Sequence, residues 1–408
     1  MHTPTPALAH MRNGYWLPIF AGFCASLVSV GLARFAYTPL IPALIHAQWF
    51  SAGDVVYLSA ANLIGYLIGA LSGRPLGHRL GNRMALRLMM VAVTLSFFAC
   101  AFPLSLAWFF GWRLLSGIAG GIIIVLVAAT VLPHVPAARK GLASGAIFVG
   151  VGIGVAASGT LIPPLLTLGL QDTWLGLGAL ALLLSAASWF GWPTDPHRHV
   201  AAAGVSHASP ATGTDPAVYL LYVQYGLMAA GLVPVMVFLV DYVARGLGAG
   251  AHVGAVVWIM YGVGAIVGPV TYGLLADKLG ARTGIRLVLA VQAVALGLLT
   301  VWHAAPALML LAIVFGSFPP GIVPLALARI HELVPDHHRQ QIGWSRATVS
   351  FATCQAITGY AYSAVFNATG GKHAVLFGIA SAALVLALLL EPAMSLLRSD
   401  RQAETVSE

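Results

Sequence analysis

Long apolar segments recur along the whole chain, separated by short stretches rich in Gly, Pro or charged residues. A membrane-spanning helix needs roughly 20 predominantly apolar residues, and this pattern predicts an all-α membrane protein of twelve transmembrane helices. In the first half the predicted helices are Tyr15–Ile45, Asp54–Ser72, Met84–Phe102, Leu106–Leu132, Leu142–Leu168 and Trp174–Trp192. In the second half they are Val218–Tyr242, Val253–Leu275, Ile285–Trp302, Ala307–Arg329, Ile342–Phe366 and Ala374–Leu397.

Composition makes the lipid bilayer the expected solvent of this chain. Of its 408 residues, 59% are hydrophobic and 8% are charged, against roughly 25% charged residues in soluble domains. The formal net charge of +8 fits basic loops beside a membrane, so nucleic acid is not an expected partner. We expect neither a metal nor a cofactor, because the three cysteines stand singly in apolar segments.

Basic residues outside the helix interiors fall on one side of the predicted bundle, with Arg245 and Lys372 as exceptions. Cytoplasmic loops of membrane proteins carry an excess of Lys and Arg. Both termini are therefore predicted to be cytoplasmic and the number of helices to be even. The residues on the crowded side are Arg12, Arg74, Arg79, Arg83, Arg87, Arg139, Lys140, Arg198, Lys278, Arg282, Arg286, Arg329, Arg339, Arg398 and Arg401.

A hydrophilic stretch between the sixth and seventh predicted helices divides the chain. Residues 193–216 are rich in Pro, Thr, Ala, Gly and His and have no apolar period, which is typical of a flexible linker. We therefore predict a cytoplasmic tail at 1–13, a six-helix half at 14–192, a cytoplasmic linker at 193–216, a second six-helix half at 217–397 and a cytoplasmic tail at 398–408.

The two predicted halves repeat each other at a common offset. Shifting the chain by about 200 residues places several residues on the same residue type at the equivalent point of the other half. Pseudo-symmetric halves of this kind rock about a binding site near the bilayer midplane. The superposed pairs are Gly31 and Gly231, Gly121 and Gly321, Arg139 and Arg339, and Gly159 and Gly359.

The loop after the eighth predicted helix carries the most specific motif, with the spacing G-x-x-x-D-K-x-G-x-R. Its residues are Gly273, Asp277, Lys278, Gly280 and Arg282. This motif resembles the loop signature of the major facilitator superfamily, and the resemblance implies a cytoplasmic latch between the halves that includes Asp277. A degenerate copy follows the second helix and has His78 at the acidic position, which puts a charge latch there in doubt. The other residues of this copy are Gly77, Arg79, Gly81 and Arg83.

Two further segments resemble the same superfamily. Arg113 precedes closely spaced glycines in the fourth helix, similar to the Arg-to-Gly signature found there in the superfamily. The run from Gly31 to Pro42 in the first helix, read with the rest of the chain, looks like the YbfB/YjiJ branch, a bacterial group. The resemblance covers essentially the whole chain. It implies the major facilitator fold, a bacterial inner-membrane location, a small-molecule substrate and a monomer.

Arg34 and Tyr37 are the first candidates for a substrate site. They share a helix face at i, i+3 spacing, roughly 25 Å from the cytoplasmic end of the first helix and hence in the outer half of the membrane. Pro39 and Pro42 should bend the helix beyond them and free carbonyls, which is tolerable only against protein or a water-filled cavity. Alternatively, Arg34 makes an internal contact that fixes packing, and Tyr37 marks the membrane interface.

Arg113 and Asp241 are the other candidates. Arg113 lies about 10 Å inside the fourth helix, where an arginine must face water or a partner, or else extend to the headgroups. Asp241, near the outer end of the seventh helix, is a candidate proton-coupling or gating acid, although it can instead contact the interface. Because no carboxylate lies deep in the first half, Arg34 and Arg113 favour an anionic or zwitterionic substrate over a lipophilic cation.

These features predict a secondary active transporter that moves a small organic solute by alternating access, with protons as the expected coupling ion. A drug or xenobiotic efflux antiporter is one alternative, and a non-transporting membrane receptor with the same fold is another. An enzyme is not expected, because the sequence shows no intramembrane histidine cluster, paired carboxylates or Ser–His arrangement.

Overall fold

The computed structural model describes residues 14–136, 139–193, 216–334 and 337–407, and within these ranges the chain is helical without a β-strand. The predicted tail 1–13 and residues 194–215 of the predicted linker lie outside the described residues. We number the helices α1 (Trp16–His46), α2 (Ala52–Leu80), α3 (Asn82–Cys100), α4 (Leu106–Val131), α5 (Lys140–Leu166), α6 (Leu170–Ser188), α7 (Pro216–Gly246), α8 and α9 (250–279 and 281–299, the two arms of Gly250–Leu299), α10 (Ala305–Leu333), α11 (His337–Ala368) and α12 (His373–Ser407).

Ten helices in the described part of the chain are long and apolar enough to cross a membrane. One of them, Gly250–Leu299, has 50 residues, which at 1.5 Å per residue is about 75 Å, more than twice the roughly 30 Å thickness of the hydrocarbon core. Gly280 breaks it with a positive φ of 77°, so it supplies two spans. The 32-residue α11 is more polar than the ten. Together these elements are consistent with the twelve predicted helices.

The two halves, α1–α6 and α7–α12, are related by the predicted offset. The turn between α2 and α3 places Gly81 at φ 82°, ψ 142°, and Gly280 occupies the equivalent turn at φ 77°, ψ 156°. L-residues rarely adopt this backbone conformation, so each half requires glycine at this turn. The predicted copy of the loop motif therefore has the same backbone geometry in both halves.

Glycines also repeat where the second and fourth helices of each half cross. A Cβ on Gly117 would overlap the backbone of Asn62, and a Cβ on Gly316 would overlap the backbone of Tyr261. Small residues let membrane helices approach closely enough for extensive van der Waals contact, which holds them together where lipid offers little hydrophobic driving force. The close α2–α4 and α8–α10 crossings thus give each half a rigid centre.

The halves contact each other toward the outer end, which we define as the end that carries the α1–α2 turn, residues 47–51. Thr38 Oγ1 donates to the Met236 carbonyl at 2.8 Å, and Trp258 Nε1 donates to Ser158 Oγ at 3.1 Å. At the opposite, inner end, which carries the Gly280 turn, a Cβ built on Gly273 would meet nothing within 4 Å. The structure is therefore closed between the halves on the outer side.

The last helix is longer than the sequence predicted. Helix α12 continues to Ser407, whereas residues 398–408 were predicted to be a tail. Residues 398–407 are helical in the structure, because nothing between Leu397 and Ser407 breaks the helix: this stretch contains neither Pro nor Gly.

Candidate functional site

The first helix is irregular in its middle, before the two prolines that were predicted to bend it. Residues Leu27–Leu32 form a π-helical turn. The next turn is also wider than an α-helical turn, because the Phe35 amide donates to the carbonyl five residues earlier, that of Val30, at 3.3 Å. Such π-turns inside α-helices often occur at functional sites. The wider turn also changes the angle between Arg34 and Tyr37, so the predicted shared face is not kept.

Arg34 lies at the centre of the bundle. Its guanidinium carbon is 5.0 Å from the centroid of the Tyr66 ring, and Tyr66 is at the middle of α2, which runs from Ala52 to Leu80. The Arg34 charge therefore lies beside the middle of α2. Two guanidinium nitrogens of Arg34, Nε and Nη2, have no hydrogen-bond partner in the described part of the chain.

Aromatic side chains from both halves surround this position. Phe35, next to Arg34, lies with its ring centroid 6.2 Å from those of Trp258 and Tyr261 on α8. Trp258 and Tyr261 stack on each other at 4.7 Å with an interplanar angle of 13°. Arg34 is therefore at the interface between the two halves, where alternating-access transporters bind their substrates.

Tyr37 is directed away from Arg34 and into the N-terminal half. Its side chain is 2% exposed, its hydroxyl donates to the Val55 carbonyl at 2.8 Å, and its ring packs 6.4 Å from that of Trp174 on α6. These contacts tie α1 to its neighbours within one half. The structure does not bring Tyr37 into one site with Arg34.

Arg113 is buried at 4% exposure and does not extend to the headgroups. Its Nη1 donates to the Ala33 carbonyl at 2.6 Å, and its guanidinium carbon is 4.2 Å from the Tyr37 ring centroid. Arg113 therefore holds the irregular turn of α1 in place. Among the described residues, no carboxylate lies within ion-pair distance of either Arg34 or Arg113.

Asp241 is fully buried at the outer end of the C-terminal half. Its carboxylate accepts a hydrogen bond from Arg245 Nη2 at 2.8 Å and lies 2.9 Å from Nε2 of His373, the first residue of α12. The Tyr242 ring packs 5.5 Å from the His373 ring. This arrangement joins α7 to α12 and allows a proton to be held between Asp241 and His373.

A second buried carboxylate is Glu391 on α12, which was not selected as a site residue from the sequence. In the structure its exposure is 0%, Arg329 Nη2 lies 3.2 Å from its Oε2, and Gln224 Nε2 is 3.4 Å from its Oε1. An acid within a long apolar run is the one sequence signal that could have indicated burial. Its partner Arg329 is 62 positions earlier in the chain, and nothing in the sequence near either residue indicates that they pair.

The acid that contacts the backbone of the C-terminal loop motif in this structure is Glu332 on α10. Glu332 Oε1 accepts a hydrogen bond from the Ala281 amide at 2.8 Å, so its charge lies at the N-terminus of α9, where the helix dipole favours an anion. Asp277 and Lys278 are exposed and form no ion pair in the described part of the structure. Arg282 Nε lies 3.6 Å from Glu391.

The loop motif of the N-terminal half lacks an acid at the matching position. A Cβ on Gly77 would overlap Asn82 and contact Leu126, which explains the need for glycine there. Arg79 is exposed and Arg83 is half-buried at this turn. The first copy thus keeps the turn and its basic residues.

The solved crystal structure of a D-xylose-proton symporter has the same fold. The alignment has a TM-score of 0.72 and 16% sequence identity, and covers 92% of this chain and 96% of that chain. An identity this low establishes the fold alone. No curated protein sequence matches the chain.

The family model described as "Uncharacterised MFS-type transporter YbfB" matches residues 26–392, from α1 into α12. Together with the fold and the apolar helices, this match identifies a multi-pass membrane protein and a secondary transporter rather than an enzyme. The chain belongs to the YbfB family of the major facilitator superfamily.

Proposed function

We propose that this transporter carries a small organic solute with an anionic group, either an anion or a zwitterion, across the membrane by alternating access. The observation that carries the proposal is Arg34, whose Nε and Nη2 have no partner among the described residues at the interface of the halves. An arginine near the bilayer midplane is costly unless it meets water or a counter-charge. A substrate carboxylate would supply that charge and accept both hydrogen bonds.

The contacts between the halves support alternating access. The outer side is closed by polar contacts such as Thr38 to Met236, and by close packing of Gly159 on α5 against Ala255 and Ile259 on α8. Contacts of this size can break and re-form as two rigid halves rock about the central site.

We propose that the loop motifs latch the inner side in the opposite state. Asp277 is exposed while the outer side is closed, as expected of a latch residue that engages only when the inner side closes. The motif residues Gly273, Lys278, Gly280 and Arg282, with Gly77, Arg79, Gly81 and Arg83, would form the facing surfaces.

Protons are the proposed driving ion, with Asp241 as the candidate protonation site. Asp241 is buried against His373 at the outer end, where a proton from the outer side would arrive first. The fold neighbour is itself a D-xylose-proton symporter. Substrate uptake that alkalinises a weakly buffered medium, and that slows at least tenfold in Asp241→Asn, is the expected result.

The basic loops support an orientation with both termini in the cytoplasm of a bacterial inner membrane. A monomer is proposed, since each chain supplies both halves of the site. Labelling of engineered terminal cysteines by a membrane-impermeant maleimide, in intact cells and in inverted vesicles, tests the orientation.

The central experiment measures binding by thermal shift and flux by counterflow in proteoliposomes, on the parent chain, Arg34→Ala and the control Arg74→Ala. Arg74 is exposed on the inner side, so the control removes one positive charge away from the site. We expect organic acids to stabilise the parent and Arg74→Ala but not Arg34→Ala. Cationic drugs that stabilise all three would instead indicate a drug exporter, and binding without counterflow would indicate a receptor.

A further inference from the structure

The side chains around Arg34 restrict the class of substrate that can bind there. Tyr66 on α2 faces the guanidinium, and Phe35, Trp258 and Tyr261 continue the aromatic surface into the C-terminal half. Three helices, α1, α2 and α8, thus bring flat, rigid rings to the surroundings of Arg34.

Arg34 and Arg113 both lie among the helices of the described N-terminal half, but only the half-buried Arg34 has both Nε and Nη2 without a partner there. Arg113 already donates to the Ala33 carbonyl and stacks on Tyr37, which leaves Arg34. The site therefore matches a single carboxylate better than a dicarboxylate.

No described carboxylate lies within ion-pair distance of Arg34 to pair with a substrate ammonium group. The buried acids of the described chain, Asp241 and Glu391, are held by Arg245, His373 and Arg329 at the two ends of the C-terminal half. An amino group beside Arg34 would be desolvated without compensation. This disfavours amino acids and other zwitterions.

The hydroxyls of Tyr66 and Tyr261 can form hydrogen bonds with a ligand. Tyr66 and Tyr261 make no hydrogen bond through their hydroxyls to a described residue. Phenol hydroxyls can donate to, or accept from, ring substituents of a ligand that stacks between the rings.

We propose that the substrates are planar aromatic monocarboxylates, with the carboxylate on Arg34 and the ring against Tyr66, Tyr261 and Trp258. This inference rests on the proposed function, since it names the anion that the site carries. Offset or edge-on contact between aromatic rings adds roughly threefold to tenfold to affinity per pair beyond surface burial. An aliphatic acid of the same size lacks this gain.

The test compares four probes of similar shape on the purified full-length chain in detergent: benzoate, cyclohexanecarboxylate, benzamide and benzylamine. We expect benzoate to bind roughly threefold to tenfold more tightly than cyclohexanecarboxylate. Benzamide and benzylamine should bind at least about tenfold more weakly than benzoate, because neither offers Arg34 a negative charge.

Variants distinguish the loss of ring stacking from the loss of folding. Tyr66→Leu should reduce the preference for benzoate over cyclohexanecarboxylate, whereas Tyr66→Phe should keep it, since the ring remains. The matched control Tyr362→Phe removes a hydroxyl that donates to the Ala230 carbonyl, away from Arg34, and should also keep the preference.

The possible failures are distinguishable. Equal binding of benzoate and cyclohexanecarboxylate, lost in Arg34→Ala, would overturn the aromatic inference and leave the anion transporter standing. Binding of gluconate but not of benzoate, again dependent on Arg34, would have the same meaning. Binding of benzylamine alone would overturn both the inference and the proposed function.

Discussion

In the N-terminal half the half-buried Arg34 and the buried Arg113 have no carboxylate within ion-pair distance among the described residues. In the C-terminal half the buried carboxylates Asp241 and Glu391 are each paired with basic side chains, among them the buried Arg329. The backbones of the two halves are related by the same offset, down to the positive φ at Gly81 and Gly280. The difference therefore lies in side chains placed on a common scaffold.

The paired charges of the C-terminal half stabilise the fold, whereas we propose that the Arg34 charge binds the substrate. A buried ion pair is satisfied in every state of the transport cycle in which its helices stay together, so it suits a rigid half. A guanidinium with free donors at the interface of the halves is satisfied only when a partner arrives. Arg113 is intermediate, because a backbone carbonyl partly satisfies it.

The largest expected effect comes from breaking the C-terminal ion pair. Glu391→Ala removes the buried interhelical partner of Arg329, which then keeps, among the described acids, only Glu332 on its own helix. Removing one member of a buried pair costs about 3–5 kcal/mol when the other charge is left uncompensated, so this range is the upper limit of the expected loss of unfolding free energy. Denaturant unfolding in detergent micelles, followed by circular dichroism, measures the loss. The double variant Arg329→Met with Glu391→Met should recover most of it, since a buried apolar pair needs no neutralisation. Unchanged stability of Glu391→Ala would remove the contrast between the halves.

Replacing Arg34 or Arg113 of the N-terminal half with methionine should have different effects on stability and on binding. Arg113→Met leaves the Ala33 carbonyl without its donor and should destabilise the fold by about 1–3 kcal/mol. Arg34→Met removes no hydrogen bond of Nε or Nη2 to a described residue, so its unfolding free energy should stay at or above that of the parent while binding of organic acids is lost. The same two assays, applied to both variants, measure this. Arg34→Met as unstable as Arg113→Met would make Arg34 a packing residue.

The shared scaffold can be tested at the equivalent glycines. Gly117→Ala and Gly316→Ala each place a methyl group against the backbone of the crossing helix. Overpacking of this kind lowers the unfolding free energy by about 1–3 kcal/mol. The higher helix propensity of alanine offsets up to about 1 kcal/mol of this loss. Gly145→Ala is the control, because a Cβ there meets nothing within 4 Å. The two crossing variants should lose similar stability by thermal unfolding, and the control should lose none. A large difference between them would show that the halves are not equally rigid.

The fold was predictable because lipid leaves the backbone few choices. Every amide inside the bilayer must be paired within the protein, so apolar windows of helix length become helices. Helices α1 and α3 to α10 lie close to their predicted bounds, whereas α2 continues past the predicted end at Ser72 to Leu80. The extension of α12 to Ser407 was missed because hydropathy marks where lipid ends and not where a helix ends.

The site was predictable only in part, for a geometric reason. Arg34 stands out in sequence because an arginine in an apolar run is costly, and its role as a site residue remains a prediction. The direction of its side chain relative to Tyr37 was not predictable, because the π-turn at Leu27–Leu32 leaves no signal in the linear sequence. Tyr66 and Tyr261 were missed, because a neutral aromatic residue in an apolar helix carries no such cost.

The smallest expected effect concerns the outer contact that joins the two halves. Thr38→Val keeps the shape of the side chain but removes the hydrogen bond to the Met236 carbonyl, which should weaken the outer-closed state by about 1 kcal/mol. That corresponds to a shift of about fivefold in the equilibrium between outer-closed and outer-open states. The reporter is Ser363→Cys, because Ser363 on α11 is buried beside the Val56 carbonyl of α2 and a cysteine there becomes accessible to an impermeant maleimide only on opening. Labelling should be up to about fivefold faster with Thr38→Val than with Thr38→Ser, which keeps the hydroxyl. Equal rates would mean that this bond does not hold the halves together, and that the closed outer side depends instead on the apolar packing of α2 on α11 and α5 on α8.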